Sequence, residues 1–287
     1  SGIFPSLTVA ENLRAASWLN RKSASKDWDA YHKRALENFP ILADRLEDEA
    51  GNLSGGQQQI LALAMAFLSQ PRLLMIDELS LGLAPVIVEE LLPKLQTLAK
   101  EGVTIVLVEQ SVNVALTVAD TAYFMEKGEI KFHGETSELL KRPDVLRSVF
   151  LEGASVGLDK SQKEAEEPTG THFEVEERSE VSEESSSATV LEVSGISRSF
   201  GGISAVNNVS FEVHSKEILG FIGPNGAGKT TLFDLIGGFT ESDRGKVVLS
   251  GRPIHHLTAA NRSLRGLGRS FQDARLFPAL TVEETIA

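Results

Sequence analysis

The chain has 287 residues, 41% of them hydrophobic, enough for the buried core of one large domain or two small ones. A net charge of −12 and the absence of cysteine exclude disulfides and thiolate metal sites, and leave no basic footprint of the kind that nucleic-acid binding needs. The longest nearly pure apolar run, Ile60 to Leu68, falls well short of the roughly 18–20 residues that cross a bilayer, and no signal peptide is visible. A role at a membrane therefore means docking on separate transmembrane subunits.

The first block, residues 1–152, opens with Ile3-Phe4-Pro5-Ser6-Leu7-Thr8-Val9-Ala10-Glu11, in which Thr8 and Glu11 form a capping-box pattern at the start of a helix. Next comes Leu53-Ser54-Gly55-Gly56-Gln57-Gln58-Gln59, ahead of the apolar helix Ile60 to Leu68. Ser54 with Gln57 is a second capping box. Glycines 55 and 56 let a phosphate approach the backbone, and the helix dipole adds positive potential there. Leu73-Leu74-Met75-Ile76-Asp77-Glu78 reads as a buried parallel strand that delivers two acids to a phosphate site. Asp77 is expected to hold a metal ion through water, and Glu78 to orient and polarise an attacking water. The strand Val103 to Val108 ends in Glu109-Gln110.

Residues 153–190 are dominated by Glu, Ser, Thr and Lys and cannot repay the entropy of ordering, so they read as an acidic flexible linker. From Glu152 to Glu192 twelve acidic residues face only Lys160, Lys163 and Arg178, which accounts for −9 of the net charge. In the second block, residues 191–287, strands are expected over Val206 to Val213 and Glu217 to Ile222, followed by a helix from Lys229 to Ile236. Between the last two lies Gly223-Pro224-Asn225-Gly226-Ala227-Gly228-Lys229-Thr230-Thr231, a G-x-x-x-x-G-K-[ST] phosphate loop in the strand-to-helix context its mechanism requires. Glycines 223, 226 and 228 let backbone N–H groups wrap the phosphates, Lys229 reaches the β- and γ-phosphates, and the Thr230 hydroxyl is the expected magnesium ligand. Phe200, upstream in Ser199-Phe200-Gly201-Gly202, is either an adenine-stacking ring or a core phenylalanine.

The order of these elements resembles an ABC nucleotide-binding domain everywhere except the linker. The resemblance implies an α/β fold, a P-loop NTPase of ABC ATPase type with a helical signature subdomain and an antiparallel β-subdomain. It makes Ser54, Gly55, Gly56 and Gln57 the signature, Asp77 and Glu78 the Walker B acids, Ser80-Leu81-Gly82-Leu83 the D-loop, and Phe200 the adenine-stacking residue. Gln272, in Arg269-Ser270-Phe271-Gln272, matches the Q-loop glutamine that senses magnesium and touches the transmembrane partner. Two positions depart from the pattern. Gln110 stands where most ABC ATPases carry a histidine beside the γ-phosphate, and it can hydrogen-bond but not become cationic. Leu79 replaces the usual proline, which removes only a local backbone constraint.

Residues 1–151 look like the C-terminal two-thirds of one ATPase of the branched-chain (hydrophobic) amino-acid importers, most clearly at Asp77 to Pro85 and Leu107 to Gln110. The second block looks like the N-terminal third of the partner ATPase, on Ala205 to Val209 and Phe271 to Phe277. The opening motif recurs as Leu276-Phe277-Pro278-Ala279-Leu280-Thr281-Val282-Glu283-Glu284 at an offset of 273, where Thr281 and Glu284 repeat the capping pattern. Such recurrence favours a window on a tandem fusion of two paralogues. The alternative is a circularly permuted single domain, whose linker would span about 30–35 Å on a root-mean-square basis.

The function these readings imply is ATP binding and hydrolysis that powers an importer. ATP and Mg2+ would be the cofactors, and the location the cytoplasmic, inner face of the cell membrane. The implied partners are transmembrane permease subunits, a second ABC ATPase domain in a head-to-tail dimer and, indirectly, a substrate-binding protein, with no nucleic acid. The rival readings are a nucleotide-binding but hydrolysis-deficient fragment and a soluble, non-transport ABC ATPase.

Overall fold

The computed structural model describes residues 3–17, 28–142 and 188–270. Five-residue apolar runs with no polar alternation can only be strands covered on both faces. Leu73–Asp77 (β1), Thr104–Glu109 (β2) and Ile218–Ile222 (β7) are buried at every position. They form the middle of a six-stranded sheet with Thr121–Glu126 (β3), Glu129–Glu135 (β4) and Leu267–Ser270 (β10), in the order β10-β1-β2-β7-β3-β4. All neighbours are parallel except the hairpin β3-β4.

This sheet draws strands from both sides of residues 143–187. β1 to β4 precede that stretch, whereas β7 and β10 follow it, and β7 lies between β2 and β3. The pairing of β2 with β7 runs in register from Ile105 and Ile218 to Glu109 and Ile222.

A second, antiparallel sheet has the order β6-β5-β8-β9 and is built from Thr189–Phe200 (β5), Ile203–His214 (β6), Arg244–Leu249 (β8) and Arg252–Pro253 (β9). Along β6 the buried residues Val206, Val209, Phe211 and Val213 face inward, with exposed residues between them. β5 begins at Thr189, two residues inside the stretch that composition assigns to the linker.

The pleat of the six-stranded sheet sorts its side chains into two cores. Leu74, Ile76, Ile105, Leu107 and Ile218 pack against a helical layer of Val9–Ser17 (α1), Trp28–Asn38 (α2), Gly55–Leu68 (α3) and Pro85–Lys100 (α4). Leu73, Met75, Val106, Val108, Leu219 and Phe221 point the other way, toward the antiparallel sheet and a later helix at Lys229–Gly237. The short helix Val112–Val118 (α5) packs on β2 and β7 and Thr136–Leu140 (α6) on β4, and Lys229–Gly237 and Ala259–Ser263 are α7 and α8. This is the expected α/β architecture, a parallel nucleotide-type sheet between a helical layer and an antiparallel β layer.

Both capping boxes that fall in described residues form. Thr8 N–H donates to Glu11 Oε2 at 2.8 Å and Glu11 N–H to Thr8 Oγ1 at 3.2 Å. Ser54 N–H donates to Gln57 Oε1 at 3.0 Å and Gln57 N–H to Ser54 Oγ at 3.3 Å. The sequence repeat at residues 276–284 lies outside the described residues.

Candidate functional site

The phosphate-type loop leaves the carboxyl end of β7 and turns straight into α7. Gly228 is the N-cap of that helix, in the left-handed region at φ +98, and a Cβ there would collide with the carbonyl oxygen of Ala205. A Cβ on Gly223 would collide with the carbonyl oxygen of Met125. These two glycines are thus demanded by close backbone approach, a reason additional to room for an anion. Asn225, Gly226 and Thr230 are exposed, Pro224 and Thr231 are half-buried, and Ala227 is buried.

Lys229 is only 4% exposed and donates from Nζ to the carbonyls of Gly223 at 2.6 Å and Pro224 at 3.1 Å. Burial pulls its pKa down, while Glu78, Asp77 and Glu109 push it up. The loop therefore holds a buried cation above a cluster of acids contributed by the other block.

Asp77 closes β1 and is 3% exposed. Its Oδ2 pairs with Arg269 Nη2 at 3.3 Å, and Arg269 Nη1 reaches Asp234 Oδ1 on α7 at 2.6 Å. Burial raises the Asp77 pKa, with Arg269 opposing it and Glu78 reinforcing it. Asp77 Oδ1 is buried without a hydrogen-bond partner. A buried carboxylate oxygen left without a donor suits a hard cation or its water, the chemistry that Mg2+ commonly takes from a protein.

Glu78 follows with φ +48, a left-handed backbone at a non-glycine residue. Its N–H donates to Val108 O at 2.8 Å, which fastens it to β2. The last residue of β2, Glu109, is fully buried, one residue further than the strand read from sequence, and Gln110 beyond it is exposed. Glu109 accepts the Ser80 N–H on Oε1 at 2.9 Å and the Ser80 hydroxyl on Oε2 at 2.8 Å. From the helical layer, Gln59 Nε2 donates to the carbonyls of Glu78 and Leu79, each at 3.1 Å.

Phe200 ends β5 and is 46% exposed, not a core phenylalanine. Asp243 fixes this corner by accepting the Ser199 N–H at 2.8 Å and the Arg198 guanidinium at 2.8 Å. Arg198 in turn lies 4.8 Å from the centre of the Phe200 ring. An exposed ring at the rim of the antiparallel sheet is available for stacking.

Ser54, Gly55, Gly56 and Gln57 sit at the start of α3, whose core face packs on the side of the parallel sheet opposite α7. Lys229 feels the charges of Asp77 and Glu78, while the helix that carries the signature residues meets the same acid-bearing turn from the helical layer, through Gln59 on the Glu78 carbonyl. Gln272 lies outside the described residues. Arg269, Asp243, Gln59 and Glu109 were not singled out from sequence as site residues. Only Arg269 had a usable signal, a cation two residues ahead of Phe271-Gln272.

The sequence pattern described as "ABC transporter" matches residues 1–80 and 206–286, more than half of the chain. The chain belongs to the ABC transporter family. Among its ABC relatives, the high-affinity branched-chain amino acid transport ATP-binding protein BraG of Pseudomonas aeruginosa is 44% identical over 151 residues, 53% of this chain and 63% of BraG. BraF of the same organism, which carries the same description, is 42% identical over 100 residues, 35% of this chain and 39% of BraF. YbhF of Escherichia coli, a probable multidrug ABC transporter ATP-binding protein, is 26% identical and covers 99% of this chain, which in turn covers 58% of YbhF. The chain thus spans less than two thirds of the length of each of these relatives. Among the described residues, no helix is long and apolar enough to cross a membrane.

Proposed function

We propose that this chain supplies the ATP-binding and ATP-hydrolysing machinery of an ABC importer for branched-chain or other hydrophobic amino acids, working at the cytoplasmic face of the membrane. The observation that carries the reading is the Arg269 clamp of the second block, which joins Asp77 of the first block to Asp234 on the phosphate-loop helix, with Lys229 feeling the charges of Asp77 and Glu78. In this reading the two blocks, 1–152 and 191–287, complement each other across the acidic linker. The interleaving of β7 and β10 with β1 to β3 supports that arrangement.

The uncapped start of α7 and the Lys229 cation bind the β- and γ-phosphates, and Phe200 stacks on the adenine. Asp77 and Thr230 hold Mg2+, which when bound neutralises charge on the transferred phosphoryl group. Glu78 orients and polarises water for in-line attack, and Gln110 offers the γ-phosphate a neutral hydrogen bond. Because α3 and α7 pack on opposite faces of the sheet, Ser54 to Gln57 serve the ATP of a second domain in a head-to-tail pair. Gln272 carries the change of state to the permease, and the substrate-binding protein is engaged only through it.

Amino-acid cargo rests on the similarity to BraG and BraF, while the resemblance to YbhF is to a protein described for multidrug transport. The test is Mg2+-dependent phosphate release by the purified chain as a function of its concentration. Head-to-tail pairing predicts a specific activity that rises with concentration, and absence of ATP binding ends the reading. A second reading, nucleotide binding without turnover, is favoured by Gln110 and predicts ATP binding with no phosphate release at any concentration.

A further inference from the structure

The turn Glu78-Leu79-Ser80 leads from the acid-bearing strand toward α4, and elements on both sides grip it. Left-handed backbone at a residue with a side chain is disfavoured and persists where its surroundings over-determine it. At Glu78 they do so from two directions. α3 sends Gln59 Nε2 to the carbonyls of Glu78 and Leu79, and β2 takes the Glu78 N–H on Val108 O. Leu79 itself is 1% exposed, so the middle of the turn is seated in the helical-layer core.

The third hold is the least expected one. Glu109 is fully buried, and a buried carboxylate is costly unless its oxygens are satisfied. Both of its oxygens are satisfied by Ser80, one by the backbone N–H and one by the hydroxyl. A strand end that needed only to be filled would take an apolar side chain; this one carries a two-oxygen acceptor aimed at a single residue of the neighbouring turn. The next residue, Gln110, is exposed at the end of the same strand.

We propose that Glu109 is a positioning residue. By holding Ser80 it locks the turn 78–80 to the strand that presents Gln110, and together with Gln59 it keeps Glu78 in its left-handed conformation. The inference rests on the reading of Glu78 as the residue that orients the attacking water. Glu78 and Gln110 are then set by one lock, so that loosening the turn misaligns both ends of the hydrolytic apparatus without touching the phosphate loop.

The experiment compares the full chain with Glu109→Ala, Glu109→Gln and Ser80→Ala, by amide hydrogen exchange and by ATP binding and turnover. Glu109→Ala is expected to speed exchange about tenfold or more in the segment 78–83 and to leave 223–231 unchanged. It should lower kcat about tenfold to a hundredfold while the Kd for ATP stays within about twofold. Glu109→Gln keeps an acceptor for the Ser80 N–H and offers a donor to its hydroxyl, so it should retain both protection and kcat. Parent-like exchange at 78–83 in Glu109→Ala overturns the proposal, as does a Glu109→Gln chain that behaves like Glu109→Ala. If Glu109→Ala does not fold, Ser80→Ala removes one of the two bonds and must loosen the same segment; no change there also overturns it. Failure of the ATPase reading looks different: the parent would bind no ATP, while the exchange difference between parent and variants would persist.

Discussion

Two helices in this molecule begin where a phosphate is expected, and they begin in opposite ways. α3 closes its own N-terminus, with the Ser54 hydroxyl on the Gln57 N–H and the Gln57 side chain on the Ser54 N–H. α7 begins at Gly228, which has no side chain to accept from the first-turn N–H groups. Beneath it lie charges in place of a cap: Lys229 on two loop carbonyls, and Arg269 between Asp77 and Asp234. The uncapped start stands ready for an anion, with its ionic framework already assembled. The capped start must open before its N–H groups can serve one. In the proposed head-to-tail pair, preorganisation at one end and self-closure at the other let the phosphate loop alone bind nucleotide before the pair closes.

Substitutions that break this contrast should separate by size, with the charged framework first. Arg269→Met leaves two carboxylates facing each other, one of them, Asp77, almost wholly buried, and should cost about 3–5 kcal/mol. Thermal unfolding of the chain without nucleotide measures it; a change under about 1 kcal/mol would mean that the clamp is ornamental. Lys229→Ala removes the buried cation and should weaken ATP binding about a hundredfold, with fluorescent-nucleotide titration as the check. An unchanged affinity would detach the loop from the nucleotide.

The neutral helix start predicts less. Ser54→Ala loses one half of a capping box and should destabilise by about 1 kcal/mol, with nucleotide affinity of the unpaired chain unchanged. A large loss of affinity in dilute chain would contradict the separation of the two helix starts across the sheet.

The smallest effect should come from Glu109→Gln. Burial raises the Glu109 pKa above the usual glutamate value, against the Ser80 hydrogen bonds. An acid whose folded pKa is raised binds its proton more tightly in the folded than in the unfolded state, so stability falls as pH rises through that window. Glu109→Gln should therefore raise the melting temperature at pH 7, and the gain should shrink as pH falls toward the usual glutamate range near about 4.3. A gain that does not change with pH would place its origin elsewhere.

Elements with local signatures were legible in the sequence. The apolar runs of β1, β2 and β7 could be placed because burial on both faces leaves no polar alternation, and the capping boxes at Thr8 and Ser54 because Ser/Thr and Glu/Gln three residues apart satisfy each other. The phosphate loop was legible because its spacing is its mechanism. What escaped depends on contacts across long stretches of chain. Arg269 meets Asp77 across 192 residues, and its one local signal, a place just ahead of Phe271-Gln272, does not say which acid it pairs with. Glu109 read as the charged boundary of a strand, because the Ser80 that satisfies it comes from another turn. β5 starts two residues inside the acidic stretch, since pairing of Thr189 with His214 outweighs composition there.

The central claim is that residues from the two blocks form one site, and the most direct test is phosphate release by the 287-residue chain beside Lys229→Ala and Glu78→Gln. The parent should turn ATP over, and each variant, altered in a different block, should fall to background, with Glu78→Gln still binding nucleotide. Phosphate release that survives either Lys229→Ala or Glu78→Gln would contradict the claim, because the residues of one block would then be dispensable to the site.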